Sequence, residues 1–369
     1  MSSPRLPVCF VVSEDYFAIA LAQGCEILRN EPLVEVHVFL ESETFLGDIG
    51  FSFPNLFVHR NELLNLVPGN LLANEKWPLV VYARIFLPYV LPHSKILYLD
   101  ADVARVGSLE PLVQLDISGV SLAAVHDAVL LRENPRLKFP KKALLRKNSK
   151  VKLPKKIWLK SIGINCDEYF NAGVILMNAE RWRQFDIQAE IKFFFERYTD
   201  RILHCDQDFL NYFFQGDWLP ISPKWNYQLS LLGYGIEQSF QPALVHFTDS
   251  IKPWHWDIFH YSAEAKSYYR RILQGISIPF RVKQPQHRIV DRLSNLKQKI
   301  RLWAYRRGML YWKTKQQLRA FTLMRDEYVE FYSEKLPLEP REKAILLQTN
   351  KPDYDGRKFR CTWDIKFPS

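Results

Sequence analysis

Two aspartates one residue apart, Asp100 and Asp102, end an apolar run that begins at Ile96. Residues 96–103 read Ile-Leu-Tyr-Leu-Asp-Ala-Asp-Val, so strand-forming positions deliver two carboxylates to one place, and the two-residue period of an extended chain predicts both on one side. Unpaired anions that close repel one another. Either a neighbour pairs with them or a cation neutralises them, and oxygen donors suit a hard divalent ion, Mg²⁺ or Mn²⁺, of the kind that shares its shell with substrate phosphates. A solvated loop can carry the same two residues, so the rest of the chain has to decide between these readings.

The elements around the pair form an α/β pattern. Residues 8–12 are a short apolar run followed by Ser13, Glu14 and Asp15 and a helix-like stretch over 17–28, which predicts a first strand and helix. Ligands of such sheets sit beyond the carboxyl ends of the strands, which puts Val11, Ser13, Asp15 and Tyr16 at a pocket mouth. Arg84 interrupts the apolar stretch 77–91, where a guanidinium needs a carboxylate or phosphate. Asp127 follows the strand-like 122–125, and His246 follows Leu244-Val245 at another strand end. The run Asp206-Gln207-Asp208 also suits a helix N-cap.

Taken in order, Val11 to Tyr16, Tyr82-Ala83-Arg84, the Asp-Ala-Asp strand, Tyr169-Phe170-Asn171-Ala172-Gly173-Val174, Asp206-Gln207-Asp208, and His246 with Lys252-Pro253-Trp254 resemble the signature of the family-8 retaining glycosyltransferases. That family includes bacterial lipopolysaccharide galactosyl- and glucosyltransferases and is related to glycogenin. The resemblance covers residues 7–256. It implies a single Rossmann-like nucleotide-sugar-binding domain with a mixed central sheet, of GT-A type. It implies a uridine site in which Tyr16 stacks on uracil and Asp15 lies near the base or ribose, with Val11, Ser13 and Ala101 lining the donor. It also implies a metal held by Asp100, Asp102 and His246, Arg84 beside that metal and the sugar, and Lys252 as a point charge for the diphosphate. A nitrogen ligand in that shell shifts preference from Mg²⁺ toward Mn²⁺. Asn171, Asp206 and Gln207 would surround the sugar, with Asp127 a further candidate. Gln207 is a poor nucleophile, which favours front-side attack by the acceptor over a covalent glycosyl-enzyme. Two departures stand out: Ser13 replaces a common Asp, and Asp249 occupies a position where relatives usually have Gly against the diphosphate.

Composition is compatible with this reading. A chain of 369 residues, 47 % hydrophobic and 14 % aromatic, is long and apolar enough for an α/β domain with an appendage and is not broadly disordered. We read residues 1–265 as the catalytic domain, with 134–160 as a basic acceptor-side insertion, 266–326 as a basic helical region and 327–369 as a tail of unassigned role. Five cysteines without a Cys-X-X-Cys suggest reduced thiols, and no apolar run approaches the roughly 20 residues of a membrane span. The expected location is cytoplasmic, on the inner face of the membrane.

Charge is focused. Residues 136–160 hold 11 Lys and Arg with no acid, and residues 281–319 hold 12 against Asp291 alone, so a chain of net +10 carries −12 elsewhere. In the second segment Ile289, Leu293, Leu296, Ile300 and Trp303 fall on one helical face beside Arg292, Lys297, Lys299 and Arg301, the pattern of a helix lying on an anionic membrane or packing on the domain. The first segment suits a phosphorylated or acidic acceptor such as a lipopolysaccharide core or lipid-linked glycan. A nucleic-acid-binding protein and a non-catalytic sugar-nucleotide binder are the alternatives, the former disfavoured by the absence of a nucleic-acid motif. The sequence leaves the oligomeric state open.

Overall fold

The computed structural model describes residues 5–41, 52–69, 71, 78–128, 155–165, 168–228, 240–248, 252–255, 263–276 and 367–368. Strand β1 (Leu6–Val12) and helix α1 (Glu14–Asn30) open the chain as the sequence predicts. Then come β2 (Val34–Leu40), β3 (Leu56–Arg60), β4 (Lys95–Leu99), β5 (Val103–Arg105), β6 (Leu122–His126), β7 (Phe170–Asn178), β8 (Trp218–Pro220), β9 (Tyr227–Gln228) and β10 (Leu244–His246). Among the described residues, three further helices of eight or more residues are α2 (Ile187–Tyr198), α3 (Asp206–Phe213) and α4 (Ala263–Gln274).

Seven strands form one sheet in the order β3-β2-β1-β4-β7-β6-β8, and β5-β10-β9 form a second. In the large sheet β7 runs antiparallel to both neighbours, β4 and β6, whereas every other pairing is parallel. This is the mixed sheet implied by the resemblance. All nine residues of β7 are buried, as expected for a central strand covered on both faces. Alternate residues of β4 serve opposite layers: Leu97 and Leu99 pack with α1, while Ile96 and Tyr98 face Phe86, Trp182, Phe194 and Phe209. Tyr98 therefore points to the side from which Arg84 approaches.

Helix α1 lies close against the sheet, since a Cβ on Gly24 would stand 2.8 Å from Val36 Cγ1. Its outer side is covered by α4. The Tyr268 hydroxyl donates to Gln23 Oε1 at 2.8 Å, Gln23 Nε2 donates to the Tyr269 hydroxyl at 3.0 Å, and Arg271 pairs with Glu26 at 3.3 Å. The boundary drawn at residues 265 and 266 thus falls inside a helix packed on α1. Phe367 also packs against Tyr268. None of the described helices is long and apolar enough to cross a membrane.

Two local features shape the ground above β4. Asp100 and Asp102 occupy a turn between β4 and β5, in which Val103 N–H donates to Asp100 C=O at 3.0 Å. The expected extended alternation is replaced by this turn, because the chain changes sheets there. On β7 the register to β6 slips, so that Ala124 pairs with Ile175 but Val125 pairs with Asn171. The resulting bulge falls at 172–174, the stretch facing the Asp pair, and bulges commonly re-aim strands in this way.

Candidate active site

Five elements converge at the carboxyl end of β4. Asp100 Oδ1 accepts from Arg84 Nη1 at 2.8 Å and from the Tyr98 hydroxyl at 2.6 Å. Asp102 Oδ2 accepts from Lys252 Nζ at 2.5 Å. Each carboxylate therefore has one oxygen held by a protein donor and the other turned inward. The inward atoms meet His246 Nε2, which lies 3.6 Å from Asp100 Oδ2 and 3.3 Å from Asp102 Oδ1. One donor atom from each residue falls within 4.8 Å of the others, and no other such His, Cys, Asp or Glu trio occurs among the described residues. Two oxygens and an imidazole nitrogen fit a divalent ion with substrate oxygens completing its shell.

The cradle has no spare room on its β7 side. A Cβ on Gly173 would stand 2.1 Å from His246 Cε1 and 2.7 Å from Asp100 Oδ2. Burial works to raise the Asp102 pKa, but the Lys252 ammonium, and the His246 ring when it is protonated, outweigh it and hold the carboxyl well below its ordinary value. Lys252 is itself buried and also donates to the Phe247 carbonyl at 2.7 Å. The resemblance implies a point charge for the diphosphate at this position, and here the ammonium lies against Asp102.

Arg84 stays charged although burial opposes it, since Asp100 and Asp206 flank it. Its guanidinium stacks on the Tyr98 ring with 4.7 Å to the centroid. Nε lies 2.9 Å from Asp206 Oδ2, yet its N–H is aimed at the Val81 carbonyl, which leaves that oxygen without a hydrogen-bond donor. Burial accordingly pushes the Asp206 carboxyl up to about 7 despite the lowering pull of Arg84.

That shift fixes a sign. A carboxyl near pH 4 in the unfolded chain and near 7 in the fold holds a proton in the native state that the unfolded state has released, so its contribution to stability falls as pH rises from about 4 to about 7. Asp206→Asn should flatten that fall, read as denaturation midpoints of the two proteins from pH 4 to 8. Parallel profiles would refute the assignment.

The remaining sugar-side candidates form a continuous chain of hydrogen bonds. Gln207 Oε1 accepts from Ala172 N–H at 3.0 Å, and its Nε2 donates to Asp127 Oδ2 and to the Tyr169 hydroxyl, each at 3.3 Å. Asn171 Nδ2 donates to the same Asp127 oxygen at 3.1 Å. Asn171, Asp127 and Gln207 thus stand together. The expectation of N-capping by the Asp206 to Asp208 run is corrected: the N-cap position of α3 is Cys205, which makes no side-chain cap bond. Asp208 instead accepts from Leu203 and His204 N–H at 2.7 and 2.9 Å and from the Tyr169 hydroxyl, pinning the approach to α3.

At the donor mouth, Val11 and Ser13 are half-buried and Asp15 is exposed, while Ala101 is buried beside the Asp pair. Tyr16 is 36 % exposed, and its ring meets that of Trp254 in a T-shaped contact at 6.1 Å. Sequence reasoning gave no role to Tyr98, Gly173 or Asn226, the last of which bonds both Asn171 and His246. Tyr98, within the Asp-Ala-Asp strand, and Gly173, within the Tyr169 to Val174 stretch, lie inside motifs that could have exposed them, whereas Asn226 lies in none. Asp249, residues 134–154 of the 134–160 insertion and the basic stretch 281–319 lie outside the described residues.

Sheet and site together define a GT-A-type α/β domain whose central strand ends in an Asp-X-Asp pair. Residues 26–257 match the family model for glycosyl transferase family 8, and the chain belongs to that family. Among curated relatives, the lipopolysaccharide 1,3-galactosyltransferase of Salmonella typhimurium is 27 % identical over 281 residues, covering 72 % of this chain and 71 % of its own. General stress protein A of Bacillus subtilis is 28 % identical over 198 residues and glycosyltransferase GlyF of Streptococcus pneumoniae 24 % over 180, matches spanning 60 % and 37 % of those proteins and 48 % and 47 % of this one. The fold matches galactosyltransferase LgtC, solved with donor and acceptor sugar analogs, at a TM-score of 0.55 and 23 % identity over 74 % of this chain and 97 % of that one.

Proposed function

We propose that this glycosyltransferase moves a hexose, galactose or glucose, from a UDP-sugar to a hydroxyl of a glycan acceptor with retention of configuration, using Mn²⁺ or less favourably Mg²⁺ at Asp100, Asp102 and His246. The observation that carries this reading is the convergence of Asp100 Oδ2, Asp102 Oδ1 and His246 Nε2, each backed by its own partner. A divalent ion there supplies Lewis-acid stabilisation of the negative charge that develops on departing UDP.

The chain's own residues do the rest. Tyr16 offers a stacking face for uracil at the end of β1, with Val11, Ser13 and Asp15 around it. Arg84 holds Asp100 in place and keeps positive charge near the sugar. Gln207 has both ends of its amide engaged, which suits orienting the donor and argues against nucleophilic attack; the acceptor hydroxyl then attacks from the front face. Asp206, 2 % exposed behind Arg84, acts through that guanidinium.

For the acceptor, the basic run over 136–160 favours a phosphorylated or acidic glycan, and the Salmonella relative, named for lipopolysaccharide, makes a lipopolysaccharide core the leading candidate. The amphipathic basic stretch over 281–319 favours the cytoplasmic leaflet as the meeting place, which salt-sensitive cosedimentation with anionic vesicles tests.

Release of UDP from UDP-galactose and UDP-glucose, with Mn²⁺ and with excess chelator, tests the function. Metal-dependent release is expected, and release unaffected by chelator would overturn the metal assignment. Tyr16→Ala should weaken UDP binding roughly tenfold, the equivalent of about 1.4 kcal/mol of stacking, without lowering the melting temperature. Equal affinity of the wild type for UDP and GDP would remove the base-pocket reading.

A further inference from the structure

His246 offers Nε2 to the two aspartates, and whether that nitrogen carries a lone pair or a proton decides if it can ligate a metal. Side-chain amides and imidazoles are ambiguous in isolation, but here one backbone donor fixes the whole series. Gly173 N–H can only donate, and it points at Asn171 Oδ1 at 3.1 Å, so that atom is an oxygen. The group that approaches the same oxygen from Asn226 at 2.9 Å must therefore be its amide nitrogen. The Asn226 oxygen is then the atom 3.0 Å from His246 Nδ1, and an oxygen there requires a proton on Nδ1. In the neutral ring this leaves Nε2 bare, facing Asp100 Oδ2 and Asp102 Oδ1.

We infer that Asn226 is a positioning residue that holds His246 in the Nδ1–H tautomer and so prepares Nε2 as a metal ligand. This inference rests on the metal reading proposed above only for its consequence; the tautomer itself is a property of the metal-free protein. Asn226 is buried, as are His246 and Asn171, so water does not compete for these bonds. It also ties the metal side of the site to the sugar side, because the Asn171 amide it fixes is the one that donates to Asp127, where Gln207 donates as well. No residue next to Asn226 in sequence carries chemistry; its role comes from the turn over Pro223–Trp225 that sets it beneath β10.

The test uses full-length protein with ¹⁵N-labelled histidine and no metal, under conditions where imidazole is neutral, with the His246 signals assigned by their loss in His246→Gln. Long-range ¹H–¹⁵N spectra should show Nδ1 protonated and Nε2 bare in the wild type. Asn226→Ala should move the ring toward the Nε2–H form that predominates for histidine in water, and should weaken Mn²⁺ binding, read by calorimetry, about 10- to 100-fold. Asn226→Asp keeps an acceptor for Nδ1–H and should keep the wild-type tautomer, which maintains the comparison if the alanine variant does not fold. An Nε2–H ring in the wild type, or an unchanged tautomer in Asn226→Ala, overturns the inference. Failure of the wild type to bind Mn²⁺ would instead overturn the metal reading and leave the tautomer spectra to decide the role of Asn226.

Discussion

Asp102→Asn is expected to lower glycosyl transfer by at least about 10³-fold while the fold survives. The substitution removes a charged ligand oxygen, and stabilising charge on a leaving diphosphate is worth several kcal/mol, at about 1.4 kcal/mol per decade of rate. A second effect is separable from the first. Lys252 is buried against Asp102, so the variant leaves an ammonium without its counter-charge, and breaking such a pair costs about 3–5 kcal/mol. The melting temperature should therefore fall along with activity. Adding Lys252→Met to Asp102→Asn should recover much of the stability and none of the transfer. Wild-type turnover in the single variant would dismiss the site altogether, and a double variant no more stable than the single one would show that Lys252 is not held by Asp102.

Gly173→Ala is expected to have a comparable effect from one methyl group. The new carbon would lie 2.1 Å from His246 Cε1, far inside the roughly 3.5–4.0 Å of a favourable carbon contact, so either the imidazole or strand β7 has to move. Since β7 is buried along its whole length between β4 and β6, the ring is the cheaper part to displace. Overpacking of this kind costs about 1–3 kcal/mol, so the variant should fold. Its Mn²⁺ affinity should fall to that of His246→Ala, measured by calorimetry on both. Retention of affinity within about threefold of wild type would mean that His246 does not sit where the cradle places it.

What could be read from the sequence was the chemistry that sits at strand ends. Asp100, Asp102 and His246 follow apolar runs, and a run that ends in a polar group predicts a side chain delivered to the rim of a sheet. Arg84 was legible for a related reason, as a charge with no solvent around it. Three things were not. The turn that actually brings the two aspartates together depends on β5 leaving for a second sheet, a pairing with β10 about 140 residues away. The pairing of Lys252 with Asp102 was not legible either, because sequence gives a charge but not its nearest partner. Asn226 was invisible because a buried amide owes its role to distant partners, Asn171 and His246, and not to any periodicity of its own.

The order of the strands along the chain has a consequence for how the protein is made. All strands of the parallel block β3-β2-β1-β4 have been synthesised by residue 99, although β1 and β4, paired at Val8 and Leu97, already lie far apart in the chain. The strand that seals it, β7, begins at residue 170, and the histidine that meets the aspartates arrives at 246. At about 5–20 residues per second, a nascent chain carries Asp100 and Asp102 for roughly 7–30 s before His246 exists. Pairings that span such separations are slow to form because loop closure must precede them. The corner where His246 meets the aspartates is therefore assembled well after the parallel block, ahead of the α4 helix that later covers α1, and a chain released early would keep half a sheet with an open β4 edge, the kind of edge that recruits other strands.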